Sequence, residues 1–226
     1  MNKVINKYKT LTISGVLGER HVATGAGGGT VTIEGVPGNA LASYLNGATV
    51  IVKGDVQDAV GDTTNDGKIV VYGSAGDALG YSMRGGEIYV EKCAGYRVGI
   101  HMKEYGDKKP AIIIGGTAGS FLGEYQAGGV IIVLGLHSGG EPPMGYFCGT
   151  GMHGGRIYLR CSRMPEGLPA QVSVRKADDG DMEQIRRYID RYCLLFSADA
   201  AGIMAQDFYV LSPNTENPYK QLYTLN

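Results

Sequence analysis

An internal repeat constrains this chain more than any other feature. Seven short strand-like runs are found: TVTIEG from Thr30, TVIVKG from Thr49, KIVVYG from Lys68, EIYVEK from Glu87, AIIIGG from Ala111, VIIVLG from Val130 and RIYLRC from Arg156. They start 19, 19, 19, 24, 19 and 26 residues apart. The period is therefore 19 with two insertions, which predict protruding loops at Glu104 to Pro110 and His137 to Pro143. Such a unit is too short for a strand, a crossover helix and two loops, and no helical periodicity lies inside the repeats. At about 3.3 Å per residue its perimeter is at most roughly 60 Å, enough for one coil, and coils stacked about 4.8 Å apart make a parallel β-helix. The expected fold class is all-β: a single-stranded, right-handed parallel β-helix of about seven coils followed by a short α-helical tail. The expected division is residues 1–174 for the β-helix, with repeats at about 29–161, and 175–226 for the tail.

Alternation within the runs says which side chains face inward. Val31, Val50, Ile69, Ile88, Ile112, Ile131 and Ile157 form one aliphatic column, and Ile33, Val52, Val71, Val90, Ile114, Val133 and Leu159 form the next. A corner element recurs in step, as Leu41-Ala42, Val60-Gly61, Leu79-Gly80, Val98-Gly99, Leu122-Gly123 and Cys148-Gly149. A second glycine column precedes it at Gly38, Gly76, Gly95, Gly119 and Gly145, broken by Gln57. Glycine is needed there for positive φ or for close approach of one coil to the next.

The same reading removes a nucleotide site. GGTAGSFLGEYQAGGVIIVLG, from Gly115, has the glycine density of a phosphate loop but not its Gly-Lys-Ser/Thr ending, and its glycines lead into a strand run rather than a helix. TGAGGGT from Thr24 fails the same test. Glycine is 37 of 226 residues, yet glycine and proline together are 45, short of a disordered composition. A net charge of −1 gives no sign of a nucleic-acid surface. No apolar run approaches membrane-spanning length, and MNKVINKYKTLTISG lacks a signal-peptide core, so no membrane association and a cytoplasmic location are expected.

Few residues offer chemistry. His21, His101, His137 and His153 share no spacing that suggests a metal site. Asn39, Asp58 and Asp77 form a column that in a carbohydrate-cleaving β-helix supplies paired carboxylates, but that more often caps turns by bonding the backbone two residues on. Ser120 and Asp107 suggest no triad, because no nucleophile elbow accompanies them. Cys93, Cys148, Cys161 and Cys193 are far apart and read as buried thiols. No catalytic, cofactor-binding or metal-binding residue is expected.

After the repeats the period changes. Met182, Ile185, Tyr188, Ile189, Tyr192 and Leu195 recur on one helical stripe, with Asp181 as N-cap and Gln184 at the third helical position, predicting a helix over about 181–196. The outward positions Thr32, Ile51, Val70, Tyr89, Ile113, Ile132 and Tyr158 form a largely apolar face suited to docking. The helix either packs on that face or lies across the open end of the last coil.

The runs GVPGNALASYLNGATVIVKG, GDALGYSMRGGEIYV, GYRVGIHMKEY, GGTAGSFLGEYQAGGVIIVLG and GTGMHGG resemble the glycine-repeat (GXGXG) domain of glutamate synthase, above all the archaeal-type form in which this domain is a separate subunit. The likeness runs from about Gly25 to Leu159, and the tail NPYKQLY is similar too. A more distant resemblance is to the formylmethanofuran dehydrogenase subunit that shares the repeat. The glutamate synthase resemblance implies a non-catalytic scaffold whose partners are a glutaminase subunit, working through an N-terminal cysteine, and a subunit carrying FMN and an Fe–S cluster. This chain begins Met1-Asn2 and has no cluster-type cysteine spacing, as such a scaffold requires. The rival expectations are a free-standing polysaccharide-acting β-helix enzyme and a binding module without partners. Self-association is left open.

Overall fold

The structure is a computed structural model that describes residues 9–214. The seven repeat runs form strands β2 (Thr30–Val36), β3 (Asn46–Val52), β4 (Asp66–Val71), β5 (Glu87–Val90), β6 (Ala111–Ile114), β7 (Ala127–Val133) and β8 (Gly154–Arg160), each parallel to the next. Val31 stands opposite Val50, Val50 opposite Ile69 and Ile69 opposite Ile88, so the repeat register is the pairing register. Every side chain of the two inward columns is buried, with Leu41, Val60, Leu79, Val98, Leu122 and Cys148 beside them. The chain is a parallel β-helix with one long sheet.

One strand precedes those the repeats predict. β1 (Thr10–Leu17) pairs with β2 at a spacing of 20, Thr10 to Thr30, and a bulge at Gly15 breaks its register. The following corner, His21, Ala23 and Gly25, has the same backbone as later corners without their sequence.

The two glycine columns do different work. Gly61, Gly80, Gly99, Gly123 and Gly149 all have φ between +66° and +74°, and Ala42 fills the same column at +53°. Gly95 and Gly119 have no such φ. A Cβ on Gly119 would instead lie 2.8 Å from the carbonyl carbon and oxygen of Gly95. The left-handed residues are not confined to glycine, because each corner places three of them alternately, as at Ala78, Gly80 and Ser82 or at Arg97, Gly99 and His101. Their N–H groups point alternately up and down the stack: Ala78 donates to Tyr96 of the next coil, Gly80 to Val60 of the previous one, and Ser82 to Ile100 of the next. These bonds hold a conformation that costs a non-glycine residue about 1–3 kcal/mol.

The predicted helix is α1 (Asp179–Phe196), and it packs on the outer sheet face. Ile185, Tyr188, Ile189 and Tyr192 meet Tyr89, Ile113, Ile132 and Tyr158 in a second apolar cluster. From Arg156 of β8, paired with Asp181, the helix crosses the strands to Tyr72, whose hydroxyl donates to the Leu195 carbonyl at 3.1 Å. The short helix α2 (Ala200–Met204) follows. The end of the stack is closed by strands rather than by the helix. β10 (Phe208–Pro213) runs antiparallel along β8 and also pairs with β9 (Val172–Lys176), so the division read at 174 falls inside a strand.

The cap of α1 also corrects the sequence reading. Asp178 is the N-cap and Asp181 the third helical residue, and each side chain accepts from the other's backbone N–H, at 2.9 and 3.0 Å. Asp181 is only 2% exposed and accepts from Arg175 Nη2 at 3.0 Å and Arg156 Nη1 at 3.2 Å. Burial opposes its charge, but the Arg175 hydrogen bonds and the capping N–H outweigh it and hold the carboxyl below its ordinary value. The stability this contributes is present above the unfolded-state value of about 3.9 and is lost as pH falls through the lower folded value. Asp181→Asn is expected to destabilise the chain at neutral pH by about 1–3 kcal/mol. Thermal melts of the variant should also show a shallower acid limb below about pH 4.

Candidate docking surface

The acidic column is a set of ties between coils. Asn39 Oδ1 accepts from the N–H of Asp58 at 3.3 Å, Asp58 Oδ1 from Asp77 at 2.9 Å, and Asp77 Oδ1 from Tyr96 at 2.8 Å. Ser120 continues the row, its Oγ accepting from the N–H of Tyr146 at 3.1 Å. These side chains cap the next coil, not the backbone two residues on: the Oδ1 atoms of Asp58 and Asp77 lie where a Cβ on Gly76 or Gly95 of that coil would stand. Asp107 is exposed in the turn between Tyr105 and Lys108, within the first insertion.

The remaining titratable candidates are dispersed. Burial pushes the Cys148 thiol up to about 12 and, against a backbone hydrogen bond at Arg163, the Cys161 thiol up to about 11, which leaves both without thiolate chemistry near neutrality. Cys193 is buried as expected. Cys93 is not: it is exposed on an outer turn, where its Sγ accepts from the N–H and Oγ of Thr117, both at 3.5 Å. His101 stacks on Tyr125 with centroids 5.1 Å apart. Among the described residues, no three His, Cys, Asp or Glu side chains converge as metal ligands would.

The outer sheet face is not the docking surface that its composition suggested. Tyr89, Ile113, Ile132 and Tyr158 are fully buried under α1. Exposed aromatic side chains lie on the corners instead, at Tyr44, Tyr96, Tyr125, Tyr146 and Phe147.

The model of the GXGXG-motif family matches residues 2–215. The chain belongs to the GXGXG family. Among relatives of this GXGXG chain is the uncharacterized protein MJ1350 of Methanocaldococcus jannaschii, 40% identical over 224 residues that cover 96% of this chain and 86% of the relative. The fold is similar to that of a chain in the formyltransferase/hydrolase complex (FhcABCD) of Methylorubrum extorquens, solved with methylofuran. That match has a TM-score of 0.67 at 19% identity, covering 91% of this chain and 78% of the other.

On the GXGXG corners the later coils carry aromatic side chains where the earlier ones carry Ala or Asp. Phe121 stacks on Phe147 at 5.1 Å, Arg97 lies 4.9 Å from the Phe121 ring centre, and Tyr146 stands 80% exposed beside Phe147. A cleft of about 690 Å³ opens next to them, between Glu141 and Pro142 of the second insertion and the segment Arg163 to Gly167. Clustered exposed aromatic rings mark interaction sites, where Tyr and Phe are enriched over the rest of the surface. The sequence signal was present but unused: Tyr96 and Tyr146 share a column with Asp58 and Asp77, and Phe121 and Phe147 share one with Ala59 and Ala78. No helix among the described residues is long and apolar enough to cross a membrane.

Proposed function

We propose that this chain is a non-catalytic scaffold subunit of an archaeal-type, cytoplasmic glutamate synthase, holding a glutaminase subunit and an FMN- and Fe–S-bearing synthase subunit in register. The observation that carries the reading is the GXGXG match along nearly the whole chain. The use of its carboxylate column as inter-coil ties and the aromatic corner of the last coils support a docking role over catalysis. A second reading, a scaffold in a formylmethanofuran-dehydrogenase-like assembly, is favoured by the fold match to the FhcABCD chain. The test is affinity purification of the tagged chain from its native host. Co-purification of glutaminase and flavin/Fe–S chains, with glutamate formed from glutamine and 2-oxoglutarate, supports the first reading. Recovery of formyl-transfer chains instead supports the second. The chain purified alone is expected to be colourless and to show neither glutamine hydrolysis nor glutamate formation. A flavin spectrum or turnover from it would overturn the reading, and cleavage of a polyuronic polysaccharide would establish the enzyme alternative.

A further inference from the structure

The first insertion divides a surface far more basic than the chain as a whole. Three clefts adjoin it. One, of about 430 Å³, is lined by Tyr44, Asn46, Asn65, Arg84, Tyr105 and Lys108 and contains no acidic side chain. Lys108 also lines the next, of about 380 Å³, with Lys68 and Lys109. Lys109 in turn lines the third, of about 430 Å³, beside Arg156 and Arg187 of β8 and α1. Lys108 thus stands between the first two clefts and Lys109 between the second and third, so the three adjoin in a row and form a basic groove interrupted by these side chains.

Its charges do not balance internally. Asp66 is taken by Lys108 at 3.3 Å, and Glu87 by Arg191 at 3.2 Å. Lys68, Arg84, Lys109 and Arg187 form no ion pair among the described residues. The Nε of Arg84 is buried and has no hydrogen-bond partner among the described residues, so the guanidinium is not neutralised from within. Lys108 is set against the floor by Gly85, where a Cβ would approach its Cβ and Cδ to 3.1 and 3.2 Å.

We propose that this groove is a docking site for an extended acidic segment of a partner chain, with carboxylates separated by neutral residues. A row of three adjoining clefts suits an extended occupant better than a compact one, and a guanidinium such as Arg84 matches a carboxylate in bidentate geometry. Asp66, Glu87 and Glu104 line the groove among the cations. They oppose the unbroken charge of a nucleic-acid backbone, whereas spaced carboxylates can pass between them. The inference rests on reading the chain as a scaffold with partners.

A fluorescein-labelled peptide of alternating Glu and Ser, and its Gln/Ser counterpart, are titrated with the full-length chain and followed by anisotropy. The Glu peptide should bind, and the Gln peptide should not. Binding should weaken by about tenfold or more as salt rises from about 50 to about 200 mM, through screening of the pairs. Combined Lys68→Gln, Arg84→Gln, Lys109→Gln and Arg187→Gln should weaken it by at least about tenfold, since each change removes one carboxylate partner. Combined Lys53→Gln and Lys92→Gln should leave it unchanged. If the fourfold variant melts early, Arg84→Gln and Lys109→Gln are measured singly. Equal binding of both peptides, no binding of the Glu peptide, or equal loss in the two variant sets overturns the proposal. So does tighter capture of a single-stranded oligonucleotide through the same four residues. No glutamate synthase chain enters this measurement, so its failure leaves the co-purification test standing, and the reverse holds.

Discussion

Removal of residues 175–226 is expected to leave a chain that aggregates. The deletion uncovers Tyr89, Ile113, Ile132 and Tyr158, now buried under α1, and strips β10 from β8, where Phe208 pairs with Arg160 and Leu211 with Ile157. Each fully buried apolar side chain contributes roughly 1.5–3 kcal/mol, and a bare edge strand beside an apolar face is a template for pairing with other chains. Soluble fraction and size-exclusion profile are the measurements. A truncated chain that stays monomeric with an unchanged melting temperature would show that neither the helix nor the strand cap supports the coils. Combined Ile185→Asp and Ile189→Asp separates the two effects, because it undocks α1 while leaving β10 in place. It should lower stability by several kcal/mol, because the packing of Ile185 and Ile189 on the sheet is lost and the helix could stay docked only by burying unpaired charge.

The second large effect is expected from Gly99→Val. Gly99 has φ +68°, and a Cβ there would lie 2.5 Å from Cδ1 of Ile131. A β-branched residue in this region is a genuine outlier, and the variant should lose at least about 3 kcal/mol, a large share of a domain's stability. Lys108→Ala, at a half-exposed lysine paired with Asp66, should cost no more than about 1 kcal/mol. Gly99→Ala is the informative intermediate. Ala23 and Ala42 fill equivalent corners at φ +59° and +53°, so alanine should be tolerated at a cost of about 1–2 kcal/mol. Gly119→Ala should be worse than Gly99→Ala despite its ordinary φ, because its obstacle is the backbone of Gly95 and not a movable side-chain tip. Equal melting temperatures for Gly99→Val and Lys108→Ala would sink this account of the corner.

The β-helix was legible in the sequence because two independent periodicities agree: a repeat of 19 along the chain and a repeat of two within each run. Where either lapses, sequence reading stopped short. β1 was missed because a bulge at Gly15 shifts its spacing to 20. β10 was missed because an antiparallel closing strand belongs to no repeat. The α1 cap was placed three residues late, since Asp178, Asp179 and Asp181 all satisfy the compositional rule and only geometry selects among them. Left-handed backbone at Arg97, Phe121 and Phe147 gave no sign, because only glycine advertises it. The outward apolar face was read correctly as needing cover, and α1 supplies it. The surfaces left for partners differ in this respect. The aromatic corner is legible in the repeat columns, which set Phe121 over Phe147, whereas the basic groove is assembled from different coils, an insertion and a helix, and no local pattern joins Arg84 to Lys109.

The alternating direction of the corner N–H groups affects how the molecule comes apart. Because Gly80 donates to the coil behind it while Ala78 and Ser82 donate to the coil ahead, a coil that loses one neighbour loses part of its corner bonding but keeps the rest. Opening should therefore travel inward from the stack termini, one unit at a time. In deuterated solvent, the amides of Gly80, Gly99 and Gly123 should be the last corner protons to be replaced, and those of His21 and Ala23, near the end not closed by β10, among the first.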